Sequence, residues 1–307
     1  MKWQVKPFII STFIFYLDMM KKNLLLILMC FVCGLVYAHD GLNFRNLDVK
    51  SGISDNYVRS VLRDQYGFMW FATLNGLNRY DGYQFKKYTT TQLGAYNNDI
   101  ESIAEDAAGN IWIKGPVSYY IYDREQDKLE NKIQPVLNKY GITGEVSYLT
   151  VDKDYNLWCT VMDTLFHYDF AKSKLHTFQL PGKEKMQQVV CRRSCAYLLF
   201  SNGEIARIDS NFQHIRPETR RTISSGLQYN LYIDTVDRLW FYASHASGLQ
   251  CYDTNQKQWI DYVGRQEVTD ALITAVMDDG DGNQRILFHW PTIISIVFSK
   301  TIRTPCG

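Results

Sequence analysis

Carboxylates recur along this 307-residue chain at a fixed distance from tryptophans. Paired carboxylates can act as general acid and base, so their arrangement is the first indication of possible chemistry. In four copies an Asp precedes a Trp by six residues: Asp64 and Trp70, Asp106 and Trp112, Asp152 and Trp158, Asp234 and Trp240. A second Asp follows each Trp by eleven or, in the last copy, thirteen residues: Asp81, Asp123, Asp169 and Asp253.

The first Asp of each copy opens a predicted turn between two strands. Asp64-Gln65-Tyr66-Gly67 has Asp at the first and Gly at the fourth position, which is typical of a type I β-turn. The carboxylate of such an Asp accepts hydrogen bonds from backbone N–H groups of its own turn. We therefore interpret Asp64, Asp106, Asp152 and Asp234 as structural residues and not as catalytic carboxylates.

Other candidate chemistry is sparse. No Ser/His/Asp or Cys/His set is recognisable from its spacing, so no catalytic residue is predicted. The run Asp279-Gly280-Asp281-Gly282-Asn283 resembles part of a calcium loop but lacks the Glu that completes one, so a turn without a metal or cofactor is favoured. A group of aromatic residues could stack on a sugar ring, although core or rim positions are favoured: His245, Tyr252, Trp259 and Tyr262.

Five cysteines follow residue 38, an odd and unpatterned set that does not indicate a disulfide framework. Cys159 and Cys251 fall in predicted strands, where free cysteines behave as small buried hydrophobic residues. Cys191 and Cys195 could form a bridge in an oxidising compartment, but free thiols are the favoured interpretation.

The spacing of the tryptophans indicates the fold. Trp112 follows Trp70 by 42 residues and Trp158 follows Trp112 by 46, while the 82 residues from Trp158 to Trp240 leave room for one further copy. In that copy Leu198 fills the Trp position, and Asp209 follows it by eleven residues. Repeats of about 40–50 residues with four short strands each are typical of β-propeller blades.

The strands of the first blade are predicted at Val58–Arg63, Phe68–Thr73, Leu77–Tyr80 and Phe85–Tyr88. Later blades are predicted to begin with Ser102–Glu105, Ser147–Val151, Val189–Arg192 and Leu231–Ile233. One four-stranded sheet cannot bury both of its faces, so we expect the Trp of each copy to fill the gap between stacked blades. Phe44–Leu47 is predicted to be an outer strand that belongs to the last blade of the ring.

The two ends of the chain depart from this pattern. Residues 1–38 are predicted to be a leader and signal peptide, with Lys21-Lys22, an apolar run from Leu24 and cleavage after Ala38; a membrane anchor is the less favoured alternative. The repeats are predicted to occupy residues 39–283. With Asp279 as the turn Asp of a sixth copy, Arg285 falls at the Trp position, so residues 284–307 are interpreted as an aberrant or divergent tail.

The sequence thus predicts an all-β fold, an incomplete β-propeller with about five full four-stranded blades and part of a sixth. The formal net charge of +1 is too balanced for a nucleic-acid-binding surface, so no nucleic-acid contact is expected.

The first blade carries a family resemblance. Gly52-Ile53-Ser54-Asp55-Asn56, the run from Asp64 to Thr73 and the run from Asn75 to Gly82 resemble the first repeat of the two-component regulator propeller. This repeat is typical of the periplasmic sensor region of hybrid two-component systems of Bacteroides type. The resemblance covers about residues 42–283 and implies seven blades in the complete propeller.

The resemblance implies a periplasmic sensor that recognises carbohydrate fragments and controls genes for polysaccharide use. The parent protein would be a homodimer held in the inner membrane, with its histidine kinase and DNA-binding domains outside this chain. The alternative is an exported propeller enzyme acting on carbohydrate, a lyase or glycosidase, whose carboxylates converge on the central channel. The repeated Trp and Tyr-Asp pattern favours the sensor.

Overall fold

The computed structural model describes residues 19–21, 23–24, 46–182, 184–192, 195–209, 211–221, 223–224, 227–243 and 249–260, and the backbone of three further strands within 272–298. The rest of the predicted leader and the Asp279-to-Asn283 run lie outside the described residues. Of the predicted strand Phe44–Leu47 only Asn46 and Leu47 are described, and neither lies in a strand. The chain divides into the unit up to Leu47 and the unit from Asp48 onward, which contains all the strands that the structure describes.

Five four-stranded antiparallel sheets follow one another, each built from four consecutive strands. Blade 1 contains β1 Val58–Arg63, β2 Met69–Thr73, β3 Gly76–Tyr80 and β4 Phe85–Tyr88. Blade 2 contains β5 Ser102–Glu105, β6 Ile111–Lys114, β7 Tyr119–Asp123 and β8 Lys128–Glu130. Blade 3 contains β9 Val146–Val151, β10 Leu157–Val161, β11 Thr164–Asp169 and β12 Lys174–Gln179.

Blade 4 contains β13 Met186–Arg192, β14 Cys195–Phe200, β15 Glu204–Ile208 and β16 Ile215–Arg220. Blade 5 contains β17 Tyr229–Ile233, β18 Arg238–Ala243, β19 Leu249–Asp253 and β20 Gln258–Ile260. Two 3₁₀ helices, Val49–Ser51 and Thr91–Leu93, flank blade 1. The helix α1, Gln134–Lys139, lies between blades 2 and 3 and lengthens the spacing of their tryptophans. The predicted all-β propeller fold is confirmed.

A sixth sheet has three described strands, β21 Leu272–Asp278, β22 Gln284–His289 and β23 Ile294–Phe298. Arg285 pairs with Met277, eight residues before it, just as Trp70 pairs with Leu62 in blade 1. The backbone register therefore places Arg285 at the Trp position of this sheet. The predicted boundary at Asn283 falls between β21 and β22, and the sheet continues beyond it.

Three of the repeat tryptophans lie in hydrophobic clusters between consecutive blades. Each of three buried clusters joins a Trp to residues of the following blade: Trp70 with Ile113, Trp112 with Leu157, and Trp158 with Val189. Burial of such an aromatic side chain contributes about 3 kcal/mol. These clusters hold neighbouring sheets together, and the helix α1 adds Leu137 to the second of them.

The first strand of a blade is also tied to the preceding blade through its backbone. The Tyr119 hydroxyl of blade 2 accepts a hydrogen bond from Leu149 N of β9 at 2.9 Å. The Tyr148 hydroxyl of blade 3 accepts one from Val189 N of β13 at 3.1 Å. The Gln188 side chain of blade 4 accepts from the N of Leu231 in β17 at 2.7 Å and donates to its O at 3.1 Å. Side chains of the preceding blade therefore bind the backbone edge that three successive first strands leave unpaired within their own sheets.

Blade 4 departs from the register of the other blades. Elsewhere the Trp pairs with the residue two positions before the second Asp: Trp70 with Arg79, Trp112 with Ile121, Trp158 with His167 and Trp240 with Cys251. In blade 4 the residue two positions before Asp209 is Arg207, and it pairs with Tyr197. The prediction that Leu198 fills the Trp position is therefore wrong, because Leu198 packs on the opposite face, against blade 3.

Two compensating changes in turn length cause this error. The first turn of blade 4 is one residue shorter, since Arg192, at the position of the turn Asp, pairs with Cys195. The next turn is one residue longer, since Leu199 pairs with Ile205, whereas Ala72 pairs with Leu77 in blade 1. The two changes cancel along the sequence and hide the shift.

Candidate functional site

The first Asp of each copy is bound to the Trp that follows it. The Trp indole N–H donates to the carboxylate Oδ2 at 2.8–2.9 Å in all four copies. The other oxygen accepts from backbone N–H groups two and four residues on; for Asp64 these are Tyr66 N at 3.0 Å and Phe68 N at 2.9 Å. The carboxylates are thus committed to structural hydrogen bonds. Sequence reasoning missed the indole bond, and the fixed spacing of six residues was the signal for it.

The second Asp of each copy lies in the turn between the third and fourth strands. Asp81 accepts hydrogen bonds from the backbone N–H groups of Tyr83 and Gln84, both at 2.8 Å. These bonds, first that from Gln84, hold the pKa of the Asp81 carboxyl below its usual value. Four others accept backbone hydrogen bonds in the same kind of turn: Asp123, Asp169, Asp209 and Asp253.

In blade 4 Arg192 stands at the position of the turn Asp, and its side chain contacts the first turn of blade 5. Arg192 Nε lies 3.0 Å from Asp237 Oδ1, and the guanidinium also donates to the carbonyl of Thr235. Asp237 occupies the fourth position of the blade 5 turn with a φ of 65°. Glycine holds the corresponding position in blades 1 and 2, at Gly67 and Gly109, because this conformation strains other residues. The strained residue thus supplies the carboxylate that joins the two blades.

A cleft of about 150 Å³ lies beside this irregular blade. It is formed where the first turn of blade 3 meets the first strands of blades 4 and 5. Its lining includes Asp152, Lys153, Trp158, Val189, Cys191 and Tyr232.

The chemistry of the cleft suits binding. Burial raises the pKa of the Cys191 thiol well above its usual value, so this cysteine is held as a thiol and not as a nucleophilic thiolate. Asp152 already accepts hydrogen bonds from the Trp158 indole at 2.8 Å and from Asn156 N at 2.9 Å. The Lys153 ammonium lies 5.6 Å from the centroid of the Tyr232 ring. The arrangement offers an apolar floor, the aromatic rings of Trp158 and Tyr232 and one cationic donor.

Of the four aromatic residues for which sugar stacking was the less favoured alternative, Tyr252 lies in the protein core and Trp259 is partly buried. Tyr252 is buried in the cluster between blades 4 and 5, against which Trp259 packs. The Trp259 indole donates to Thr219 Oγ1 at 2.9 Å, and the Arg221 guanidinium lies 4.5 Å from its ring centroid. His245 and Tyr262 lie outside the described residues. Tyr252 and Trp259 therefore do not form an open sugar platform.

Cys191 and Cys195 lie on opposite faces of blade 4. Cys191 pairs with Ala196 and packs toward blade 3, whereas Cys195, one residue before Ala196, packs toward blade 5. Both are free thiols, as are Cys159 and Cys251. Within the described part of the chain no group of side chains could hold a metal ion. The described residues include no helix that could span a membrane.

Solved structures with the same fold include extracellular domains of hybrid two-component systems from B. thetaiotaomicron. One is 19% identical, with a TM-score of 0.56, and the match covers 84% of this chain and 37% of that one. A second is 19% identical, with a TM-score of 0.53, and covers 81% and 35%. This chain therefore spans little more than a third of either domain. Virginiamycin B lyase from Staphylococcus aureus is 13% identical, with a TM-score of 0.50, and the match covers 78% of this chain and 84% of the lyase.

These likenesses show the fold alone. No curated protein matches the chain. A family model does match it, over residues 52–75, which run from the end of the first 3₁₀ helix through β1 and β2 to the following hairpin turn. That model describes the two-component regulator propeller, and this chain therefore carries the repeat of that family in its first blade.

Proposed function

We propose that this chain is a ligand-recognition part of the periplasmic sensor region of a hybrid two-component signalling protein. The observation that carries the proposal is the family repeat at residues 52–75, set in a propeller fold shared with extracellular domains of such systems. The fully engaged carboxylates of the repeats support recognition over catalysis. The kinase, the DNA-binding domain and the membrane anchor would belong to other parts of the parent protein, which would act as a homodimer.

We infer further that the ligand is a glycan fragment and that the cleft between blades 3, 4 and 5 receives one of its sugar rings. A cleft of about 150 Å³ has room for one ring and not for a whole oligosaccharide. The Tyr232 ring offers an apolar surface for the C–H face of a sugar, and the Lys153 ammonium offers donors for its hydroxyl groups. Such a ligand would reach the site only if the chain is exported to the periplasm, which is therefore part of the proposal.

Calorimetric titration with a panel of plant and host oligosaccharides tests this proposal. We expect one class of glycan to bind, and Lys153→Ala and Tyr232→Ala each to weaken binding at least about tenfold, which corresponds to about 1.4 kcal/mol. Lys132→Ala is a matched control, because Lys132 is exposed and is not among the residues that line the cleft. Binding that survives both cleft substitutions would place the site elsewhere.

The same panel separates the sensor from an exported lyase or glycosidase. We expect bound oligosaccharides to be recovered intact after long incubation. Cleavage of a glycan that disappears on substitution of a carboxylate would establish the enzyme instead and overturn the sensor. A chain that binds none of the glycans would contradict carbohydrate recognition. The match of residues 52–75 to the family repeat would stand.

A further inference from the structure

A histidine is inserted into the junction between blades 3 and 4. His167 lies in the middle of β11 and is 1% exposed. Its ring stacks on Trp158 with centroids 4.0 Å apart and an interplanar angle of 20°. It also stacks on Phe212, which belongs to the β15–β16 turn of blade 4, at 4.8 Å and 19°. The imidazole therefore lies flat between the repeat Trp of one blade and an aromatic ring of the next.

Neither nitrogen of this ring has a hydrogen-bond partner. The carboxylate nearest in the structure is Asp152, whose Oδ2 lies 3.9 Å from Nε2, too far for a hydrogen bond. That oxygen already accepts from the Trp158 indole at 2.8 Å. A neutral imidazole leaves one donor and one acceptor unpaired here, whereas an imidazolium would leave two donors and a charge.

We propose that His167 makes the junction between blades 3 and 4 a proton-sensitive joint, in which protonation of the buried ring weakens the packing of the two blades. A charge enclosed by Trp158 and Phe212 without an acceptor loses its hydration and gains no hydrogen bond in return. Opening the joint exposes the ring to water and relieves that cost. Trp158 and Asp152 also line the cleft beside blade 4, so the same event would alter the cleft wall.

The charged groups around the ring do not compensate for its protonation. On β12 the partner of His167 across the ladder is His176, whose ring lies 5.6 Å away, and a second cation there would be repelled. In the β11–β12 turn Asp169 is paired with Lys172 at 2.9 Å.

Lys174, at the start of β12, adds another positive charge beside His176. From blade 4 the turn that carries Phe212 brings Asp209 and His214, whose Oδ2 and Nδ1 lie 3.5 Å apart. Each carboxylate near the joint therefore already has a partner.

The pH range in which the joint responds follows from the burial of the ring. Burial, followed by the neighbouring His176, lowers the pKa of His167 from 6.5 to about 4. The unfolded chain takes up the proton near 6.5, so the folded state is destabilised as the pH falls from that value toward 4. For this residue alone, the unfolding equilibrium constant is expected to rise about 30-fold between pH 7.5 and pH 5.

Denaturant unfolding of the full chain at pH 7.5 and pH 5 tests the proposal with His167→Phe, which keeps a stacking ring and removes the titrating group. We expect the unfolding equilibrium constant of this variant to rise about 30-fold less between the two pH values than that of the unmodified chain. His214→Gln is the matched control, because the His214 side chain is 63% exposed and lies outside the stack of Trp158, His167 and Phe212. Equal pH dependence in all three proteins would overturn the proposal.

A second measurement does not depend on the folding of the variant. Histidine ring resonances of the unmodified chain can be followed by NMR from pH 8 to pH 5, with His176→Gln and His214→Gln assigning the neighbours. We expect the His167 resonance to remain at its neutral position throughout. A His167 resonance that titrates near pH 6.5 in the folded chain would contradict the joint.

Discussion

The junction between blades 1 and 2 and the junction between blades 3 and 4 both contain a buried repeat Trp, but different forces surround it. Beside Trp70 two groups of charged side chains cross between the blades, one centred on Asp127 and the other on Arg124. Beside Trp158 the contact is a stack of His167 and Phe212. No ion pair joins blades 3 and 4 among the side chains that the structure describes.

Asp127 is the centre of the first group. It accepts hydrogen bonds from the Arg79 guanidinium at 3.0 Å, the Tyr88 hydroxyl at 2.5 Å and the Tyr122 hydroxyl at 2.6 Å, and also from the Lys86 ammonium. Burial opposes the charge of Asp127, but these donors together hold the pKa of its carboxyl below the usual value. Three of the donors come from blade 1, so the carboxylate of blade 2 binds its neighbour directly.

Arg124 is the centre of the second group. Its guanidinium lies 3.1 Å from Asp64 of blade 1 and 2.9 Å from Glu105 of blade 2, and 4.4 Å from the centroid of the Tyr66 ring. The repeat residues therefore set the spacing of the blades, whereas residues outside the repeat pattern determine how strongly each pair of blades is held. We expect the two junctions to respond differently to acid and salt.

The largest expected effect tests whether the two tryptophans are equivalent. Trp70→Ala and Trp158→Ala should each lower the free energy of unfolding by about 3–5 kcal/mol, because each opens a cavity between blades. Chemical denaturation at pH 7.5 measures both. A loss below about 1 kcal/mol for either would show that the surrounding groups, and not the Trp, hold that junction.

The next effect separates the two turn carboxylates. Asp152→Ala should cost about 2 kcal/mol, because the indole N–H and two backbone N–H groups lose their acceptor. Asp64→Ala should cost about 3 kcal/mol, because the Arg124 guanidinium loses a partner as well.

Asp→Asn at the same two positions is the control, since an amide oxygen keeps an acceptor in place. Denaturant midpoints of the four variants give the ranking. A larger loss at Asp152 than at Asp64 would contradict the account of Arg124 as a link between blades.

A third effect is the pH range in which each of the two junctions loses stability. Asp127→Ala should cost about 2 kcal/mol at neutral pH, reduced from a fully buried value because the Asp127 side chain is 36% exposed. The stability that Asp127 supplies should be lost only as the pH falls below 3.8, the usual pKa of an Asp carboxyl.

The joint at His167 weakens in a less acidic range, as the pH falls from 6.5 toward 4. Stability measured in small pH steps should therefore show two separate losses, and Asp127→Ala should remove only the more acidic one. Glu125→Ala, an exposed change in the same turn, is the control.

The smallest effect concerns salt. Lys86→Ala should cost less than about 1 kcal/mol, since half of this side chain is exposed, and 1 M NaCl should remove most of the difference. Lys174→Ala, beside the joint between blades 3 and 4, should change stability little at any salt concentration. An equal salt dependence for the two variants would show that ionic forces do not distinguish the junctions.

Much of the fold followed from the sequence because each blade repeats one local pattern. The strands of blade 1 agree with their predicted bounds to within one residue, since turn residues and alternating apolar residues fix them locally. The contacts between blades could not be predicted in the same way. Asp127 and Arg79 are 48 residues apart, and only the stacking of two sheets brings them together.

The error at Leu198 has a different cause. Shortening one turn and lengthening the next leaves the total spacing unchanged, so the count from Arg192 to Asp209 carried no sign of the shift to Tyr197. The cleft beside blade 4 was equally hidden, because its wall combines residues of three sheets. Sugar stacking by Tyr252 and Trp259, the less favoured alternative, relied on residue type alone, and burial of Tyr252 removes that residue from the surface.

The side chains that bind the backbone of β9, β13 and β17 have a further consequence, which concerns aggregation. A first strand with open N–H and C=O groups is a template on which a strand from another molecule can add. The hydroxyls of Tyr119 and Tyr148 and the amide of Gln188 occupy backbone groups along three such edges. An intruding strand would have to displace side chains that are anchored in the neighbouring sheet. The inner edges of blades 3, 4 and 5 are thus protected from intermolecular β-sheet growth by the blades that precede them.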